Sequence, residues 1–167
     1  MPQHSPEGKS PCHRRKTCRL CGGTRLALVL ELAPTPPANA FVPREELDKP
    51  QQTFPLDVFF CEDCGHVQLL DVVDPAVLFE NYVYVSGTSP SFVAHFENYA
   101  KGILDQFKPA PGSLVLDIGS NDGTLLRFFQ QAGMKVLGVD PARNIAEEAT
   151  RKGIKTLPAF FSPKLAA

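Results

Sequence analysis

Hydrophobic positions along the chain fall into two regimes. Between Leu26 and Leu70 the apolar runs are short. Leu26–Leu30 is one, and the stretch FPLDVFFCEDCGHVQLL holds two strand-like runs on either side of a cysteine knuckle. From Ser89 onward the period lengthens. Phe92, Phe96, Tyr99, Ile103 and Phe107 recur every three or four residues, which predicts one apolar helix face packed on the sheet that follows. Ser89 and Pro90 supply the N-cap and first helical position, and the helix must end before Pro109. Leu114, Val115, Leu116 and Ile118 then form the near-continuous run of a buried parallel strand. A helix over Thr124–Ala132, a strand over Lys135–Val139, a helix opened by Pro141 and closed at Gly153, and a strand around Ile154–Leu157 complete an α/β repeat.

This pattern predicts an α/β chain in two parts. A small zinc-ribbon-like domain is followed by the first half, about three parallel strands, of a Rossmann-like domain. The expected boundaries are a disordered tail over 1–16, a cysteine-bearing domain over 17–72, a tyrosine segment and connecting helix over 73–110, and the α/β part over 111–167. Pro75 opens a short helix through Phe79, while the Pro-rich stretch after Leu32 is a loop.

With 167 residues and 43% apolar residues, the chain has material for a core. A net charge of −1 and a pI near 6.4 give no global attraction to nucleic acid or anionic membrane. The basic cluster His13, Arg14, Arg15 and Lys16 reads as a solvated face of the tail. No apolar run approaches the about 20 residues needed to span a bilayer. Met1–Lys16 is too polar for a signal peptide, so the five cysteines point to a reducing compartment, the cytoplasm.

Four of those cysteines make two CxxC pairs, Cys18 with Cys21 and Cys61 with Cys64. Two such pairs supply the four thiolates of a tetrahedral structural zinc site, each biting the metal from one turn. The long insert between the pairs predicts a ribbon carrying a loop. A thioredoxin-like dithiol would need one pair only. Cys12 is expected to be a free thiol in the tail, and His66 a neighbour of the site.

The loop LDIGSNDG after the Leu114 strand is the second candidate site. It lacks the G-x-G-x-x-G spacing of a dinucleotide loop, since Asn121 and Thr124 stand where the later glycines would. Carboxylates gather there instead: Asp117, Asp122 and Asp140. They would repel a pyrophosphate and favour a cationic ligand. S-adenosylmethionine carries a sulfonium, an ammonium and a ribose diol. Asp140 ends the second strand, close to the about 20-residue offset of a ribose-binding carboxylate. Asp117 and Gly119 would border the methionine end, with Ser120, Asn121 and Gly123 completing the cofactor loop.

Taken together, CRLCG, CEDCGHVQL, NYVYVSGTS, LDIGSNDGTLL and VLGVDP resemble the S-adenosylmethionine-dependent C-methyltransferases of nucleotide-linked deoxysugars, from Cys18 to Phe161. The resemblance implies an N-terminal zinc domain that helps hold the sugar nucleotide and a central methyl-donor domain. It also implies a base that removes a proton beside a hexose ketone, and it puts Tyr82 and Tyr84 on the segment facing the sugar, as candidate catalytic hydrogen-bond donors. The His and Glu of the family's proton chemistry have no counterpart up to Ala167. The chain is therefore expected to be an N-terminal fragment without activity of its own, with an unpaired strand edge prone to self-association. Two alternatives are a zinc-ribbon module for nucleic acid or protein, and a methyltransferase acting on RNA or protein. The acidic, apolar character of Phe54–Asp74 argues against the first, and the tyrosine segment with the double knuckle against the second. The expected partner is a nucleotide-linked sugar, with neither nucleic acid nor membrane.

Overall fold

The chain divides into two units, one up to Leu78 and one from Phe79 onward. A computed structural model describes residues 10–80 and 82–167. Residues 1–9 of the expected tail lie outside the described residues.

The first unit holds five short strands, β1 (Cys12–Arg14), β2 (Leu26–Leu30), β3 (Val58–Cys61), β4 (Val67–Leu69) and β5 (Asp71–Val73), and the helix α1 (Pro75–Phe79). The apolar runs flanking the second cysteine pair form the antiparallel hairpin β3–β4, and β2 adds to its other edge, with an irregularity between Leu28 and Leu30. Period-two alternation sends Phe59 and Cys61 inward along β3. The insert between the cysteine pairs is pinned by a bridge in which Thr35 and Phe54 exchange both backbone hydrogen bonds, at 3.1 and 2.9 Å.

The tail reading is corrected for residues 12–14. β1 pairs antiparallel with β5, placing Cys12 opposite Val73 and Arg14 opposite Asp71. Arg14 Nε and Nη2 donate to the Asp71 carboxylate at 3.0 and 2.8 Å, Nη2 also reaches Asp57 at 2.9 Å, and the guanidinium lies 5.3 Å from the Phe59 ring centre. A basic run reads as solvated when only its neighbours in sequence are weighed. Here its carboxylate partners come from far along the chain. Cys12 remains a free, half-buried thiol, raised above its ordinary pKa by burial and then by Asp71.

The second unit contains α2 (Pro90–Phe107), β6 (Leu114–Ile118), α3 (Thr124–Gln131), β7 (Lys135–Val139), α4 (Arg143–Arg151), β8 (Thr156–Leu157) and α5 (Pro163–Ala166). The Ser89 hydroxyl accepts the Phe92 N–H at 3.4 Å, the expected cap. The sheet is parallel in the order β6-β7-β8, with Leu116 opposite Leu137. Ala100, Phe129 and Met134 form its core, joined by Ile103 and Leu104 of α2, Leu125 and Phe128 of α3, and Val115 and Val136 of the strands. α2 and α3 thus cover one face.

Two expectations change. The packed stripe of α2 runs through Ala100, whose small side chain admits close approach, while Phe92, Tyr99 and Phe107 are 48, 50 and 66% exposed. One position along a helix is a turn of about 100°, so the predicted stripe is only partly the buried one. On β6, Val115 points into the core, whereas Leu114, Leu116 and Ile118 are 62, 44 and 56% exposed. Among the described residues, β6 pairs with β7 alone, so one sheet face and one edge are open. No described helix is long and apolar enough to cross a membrane.

Arg14→Ala tests the corrected tail. It leaves the Asp71 side chain, 7% exposed, without its cation. The exposed half of the guanidinium discounts the loss, to about 1–2 kcal/mol. Chemical denaturation of the first unit should register this, and an unchanged midpoint would return residues 12–16 to a solvated tail.

Candidate metal centre and donor loop

Both CxxC stretches fold the same way. In the first, the Cys18 N–H donates to the Gly23 carbonyl at 2.8 Å and Gly22 N–H to the Cys18 carbonyl at 3.1 Å. In the second, Cys61 N–H donates to the His66 carbonyl at 2.9 Å and Gly65 N–H to the Cys61 carbonyl at 2.8 Å. The turn needs a left-handed residue at the equivalent position, filled by Gly22 (φ 75°) and Gly65 (φ 77°). Arg25 fastens the knuckles together, with Nε 2.6 Å from Asp63 Oδ1.

The result is a cluster of four sulfurs, all within 4.8 Å of one another. Cys18 Sγ lies 3.8 Å from Cys64 Sγ, and Cys21 Sγ 3.7 Å from Cys61 Sγ. A tetrahedron with Zn–S bonds of about 2.3 Å has edges of about 3.8 Å. The donor set and its spacing therefore fit one zinc ion, with Cys18 and Cys61 buried and Cys21 and Cys64 toward solvent. Four protein ligands leave no open position, so the site is structural. N–H groups point at the sulfurs: Leu20 N lies 3.4 Å from Cys18 Sγ, Gly23 N 3.4 Å from Cys21 Sγ, and Gln68 Nε2 3.2 Å from Cys18 Sγ.

Those donors set the order in which protons leave. The backbone N–H of Cys21, then that of Leu20 and the Gln68 amide, hold the Cys18 thiol down to about 6. The His66 N–H acts the same way on Cys64, but desolvation and the three neighbouring sulfurs push that thiol up to about 12. The Cys18 thiolate forms readily while Cys21 and Cys64 resist, and a divalent cation would remove that resistance.

Gln68 has no signature in a cysteine count. It occupies an inward position of β4, where an apolar residue is expected, and its Oε1 also accepts the Arg19 N–H at 2.9 Å. A polar residue at an inward strand position was the available signal. His66 contributes its backbone to the second knuckle.

The candidate cofactor loop is built from β6, α3 and the end of β7. Gly119 (φ 81°) and Gly123 (φ 75°) bracket it, and Asn121 between them is also left-handed (φ 49°). Asp140 is 7% exposed. Its Oδ2 accepts the Asn121 N–H at 2.8 Å and its Oδ1 the Ala142 N–H at 2.9 Å. Each carboxylate oxygen keeps a second lone pair. Burial and then the nearby Asp140 charge raise Asp117 above its ordinary value. Ser120 turns its hydroxyl into the space a side chain at Gly138 would fill, buried and without a protein partner. Asp122 is buried and caps α3 through the Thr124 N–H, at 3.1 Å from Oδ1.

The tyrosine segment is irregular, followed by a 3-10 turn over Ser86–Thr88. Tyr82 and Tyr84 nonetheless lie side by side, edge to face at 6.5 Å, and Tyr82 also meets Phe79 at 6.2 Å. The structure thus gathers Asp117, Gly119, Ser120, Asn121, Gly123 and Asp140 into one loop region. It brings Tyr84 to that loop through a hydrogen bond from Asn121 Nδ2 to the Tyr84 carbonyl, 2.9 Å.

The cysteine-bearing region is similar to a known class of domain. Residues 18–79 match a family model described as "Putative zinc binding domain". More particularly, the chain is 36% identical over 148 residues to C-methyltransferase NovU of Streptomyces niveus, an alignment covering 89% of this chain and 35% of that protein. The chain spans about a third of the length of the curated relative it matches. Among solved structures, plantazolicin methyltransferase BpumL in complex with a pentazolic desmethylPZN analog and SAH is 26% identical, over 42% of this chain and 30% of that one, with a TM-score of 0.33. The same enzyme with SAH gives 25%, 43%, 30% and 0.33. Overlap at that score is too slight to speak for fold or ligand.

Replacing Gln68 by Leu removes an N–H···S bond and should weaken zinc binding about tenfold in chelator competition; equal affinity would reduce Gln68 to packing. Asp140→Asn removes the charge that raises Asp117, so the Asp117 pKa, followed by carboxyl NMR, should fall toward its ordinary value while the part due to burial remains. The sign for stability follows. A carboxyl raised on folding destabilises the fold once ionised, so the second unit gains stability as pH falls through the Asp117 pKa. An unmoved Asp117 titration in the variant would contradict the coupling.

Proposed function

We propose that this chain carries the structural zinc and the methyl-donor loop of an S-adenosylmethionine-dependent C-methyltransferase acting on a nucleotide-linked keto-deoxysugar. The observation that carries the proposal is the pairing of an acidic, glycine-bracketed strand-end loop with a four-cysteine knuckle pair, in a chain similar to a C-methyltransferase. The free thiols suit a reducing compartment such as the cytoplasm.

The loop's residues fit the donor. Gly119 leaves open space where a Cβ would stand, allowing close approach of a ligand to the backbone. Asp140 would accept ribose hydroxyls on its second lone pairs, held in place by two backbone N–H groups. Asp117, disfavoured as an anion by burial and then by the Asp140 charge, would be relieved by a cation, which supports a ligand bearing an ammonium and a sulfonium. Once bound, S-adenosylmethionine supplies an electrophilic methyl group. On the acceptor side, the Tyr82 or Tyr84 hydroxyl would donate to the sugar's keto oxygen, where charge develops when the neighbouring proton is removed. That removal requires a base placed beside the ketone.

Calorimetric titration of the zinc-loaded protein tests this. S-adenosylmethionine should bind, and Asp140→Ala should weaken it at least tenfold with the zinc content unchanged. Unaltered affinity would remove Asp140 from the donor site.

A further inference from the structure

Asn121 and Asp122 sit between the two loop glycines, where side chains facing a ligand are expected. Their side chains instead grip another part of the chain. Asn121 Oδ1 accepts the Ser86 N–H at 2.9 Å, and its Nδ2 donates to the Tyr84 carbonyl at 2.9 Å. One carboxamide thereby takes the carbonyl of one residue and the N–H of the next but one, the two groups a neighbouring β-strand would pair with. Asp122 Oδ2 accepts the Gly87 N–H at 2.9 Å. Gly87 must be glycine for this approach, since a Cβ there would stand 2.5 Å from Asp122 Oδ2 and 2.9 Å from Thr124 Oγ1.

The backbone of Asn121 faces the opposite way. Its N–H goes to Asp140, and its left-handed conformation, which asparagine tolerates better than most residues, lets side chain and N–H serve different partners. A single residue therefore links the proposed ribose carboxylate to the tyrosine segment.

The geometry points to Asn121 as a positioning residue that fastens the tyrosine segment to the donor loop, so that occupancy at Asp140 is transmitted to the Tyr82–Tyr84 pair. The functional meaning rests on the donor-site proposal. The fastening stands on the hydrogen bonds alone. A ligand that engages Asp140 acts on the carboxylate holding the Asn121 N–H, and Asn121 in turn holds Tyr84 and Ser86.

Amide hydrogen exchange on the zinc-loaded chain, with and without S-adenosylmethionine, tests both parts. Asn121→Gly removes the carboxamide while permitting the positive φ. It should speed exchange at Ser86 at least tenfold, leaving the amides of β6 and β7 unchanged. Asn121→Asp keeps the acceptor for Ser86 and should restore most of the protection, a rescue that a purely space-filling residue would not show. Equal Ser86 protection in the wild type and Asn121→Gly overturns the fastening. If Asn121→Gly also loses the sheet protection, Gly87→Ala takes its place. Fast exchange at positions 86 and 87 with an intact sheet then supports the fastening, and unchanged exchange overturns it. S-adenosylmethionine should slow Ser86 further in the wild type but not in Asn121→Gly. The same slowing in both overturns the transmission. Absence of S-adenosylmethionine binding by the wild type overturns the donor-site proposal and the transmission together, while exchange without ligand still decides the fastening.

Discussion

Four sulfurs at tetrahedral spacing are the constraint on which the first unit depends. Its strands are three to five residues long, and its buried apolar side chains are few, chiefly Phe54, Phe59 and Leu70 besides the cysteines. A hairpin of that size is marginal by itself. A metal held by two knuckles far apart in sequence closes the long insert and converts binding energy, about 10–16 kcal/mol in small zinc peptides, into folding energy. The Arg14–Asp71 and Arg25–Asp63 pairs then lie on a frame the metal has set. Stability of the metal site is lost toward low pH, where protons reclaim the thiolates.

The second unit depends on a different economy of charge. Asp140 sits almost out of water and accepts two backbone N–H groups, while burial and then the neighbouring Asp140 disfavour Asp117 as an anion. Gly119 leaves the end of β6 accessible, and the side chains of Asn121 and Asp122 hold neighbouring backbone.

Local chemistry was the legible part. The CxxC spacing, the glycines after each pair, the cap at Ser89 and the strand–loop–helix around Gly119 follow from properties of adjacent residues, and the structure shows them. The roles of Gln68, Arg14 and Asn121 depend on partners about 40 or more residues away in sequence for Gln68 and Arg14, and 35–37 for Asn121. Periodicity carries no such information. The apolar run of β6 marked a strand but not that Leu114, Leu116 and Ile118 stay exposed, because burial depends on what covers a face. On α2 the same limit placed Tyr99 inside and overlooked Ala100.

The proposed function joins a metal-ordered unit to a unit in which Asp140 would hold the ribose of the methyl donor. The most direct test is a crystal structure of the zinc-loaded protein with S-adenosylhomocysteine. One metal on Cys18, Cys21, Cys61 and Cys64 is expected, with ribose hydroxyls within hydrogen-bond reach of Asp140 beside Gly119. A ligand bound away from that loop, or a metal held by other residues, would contradict it.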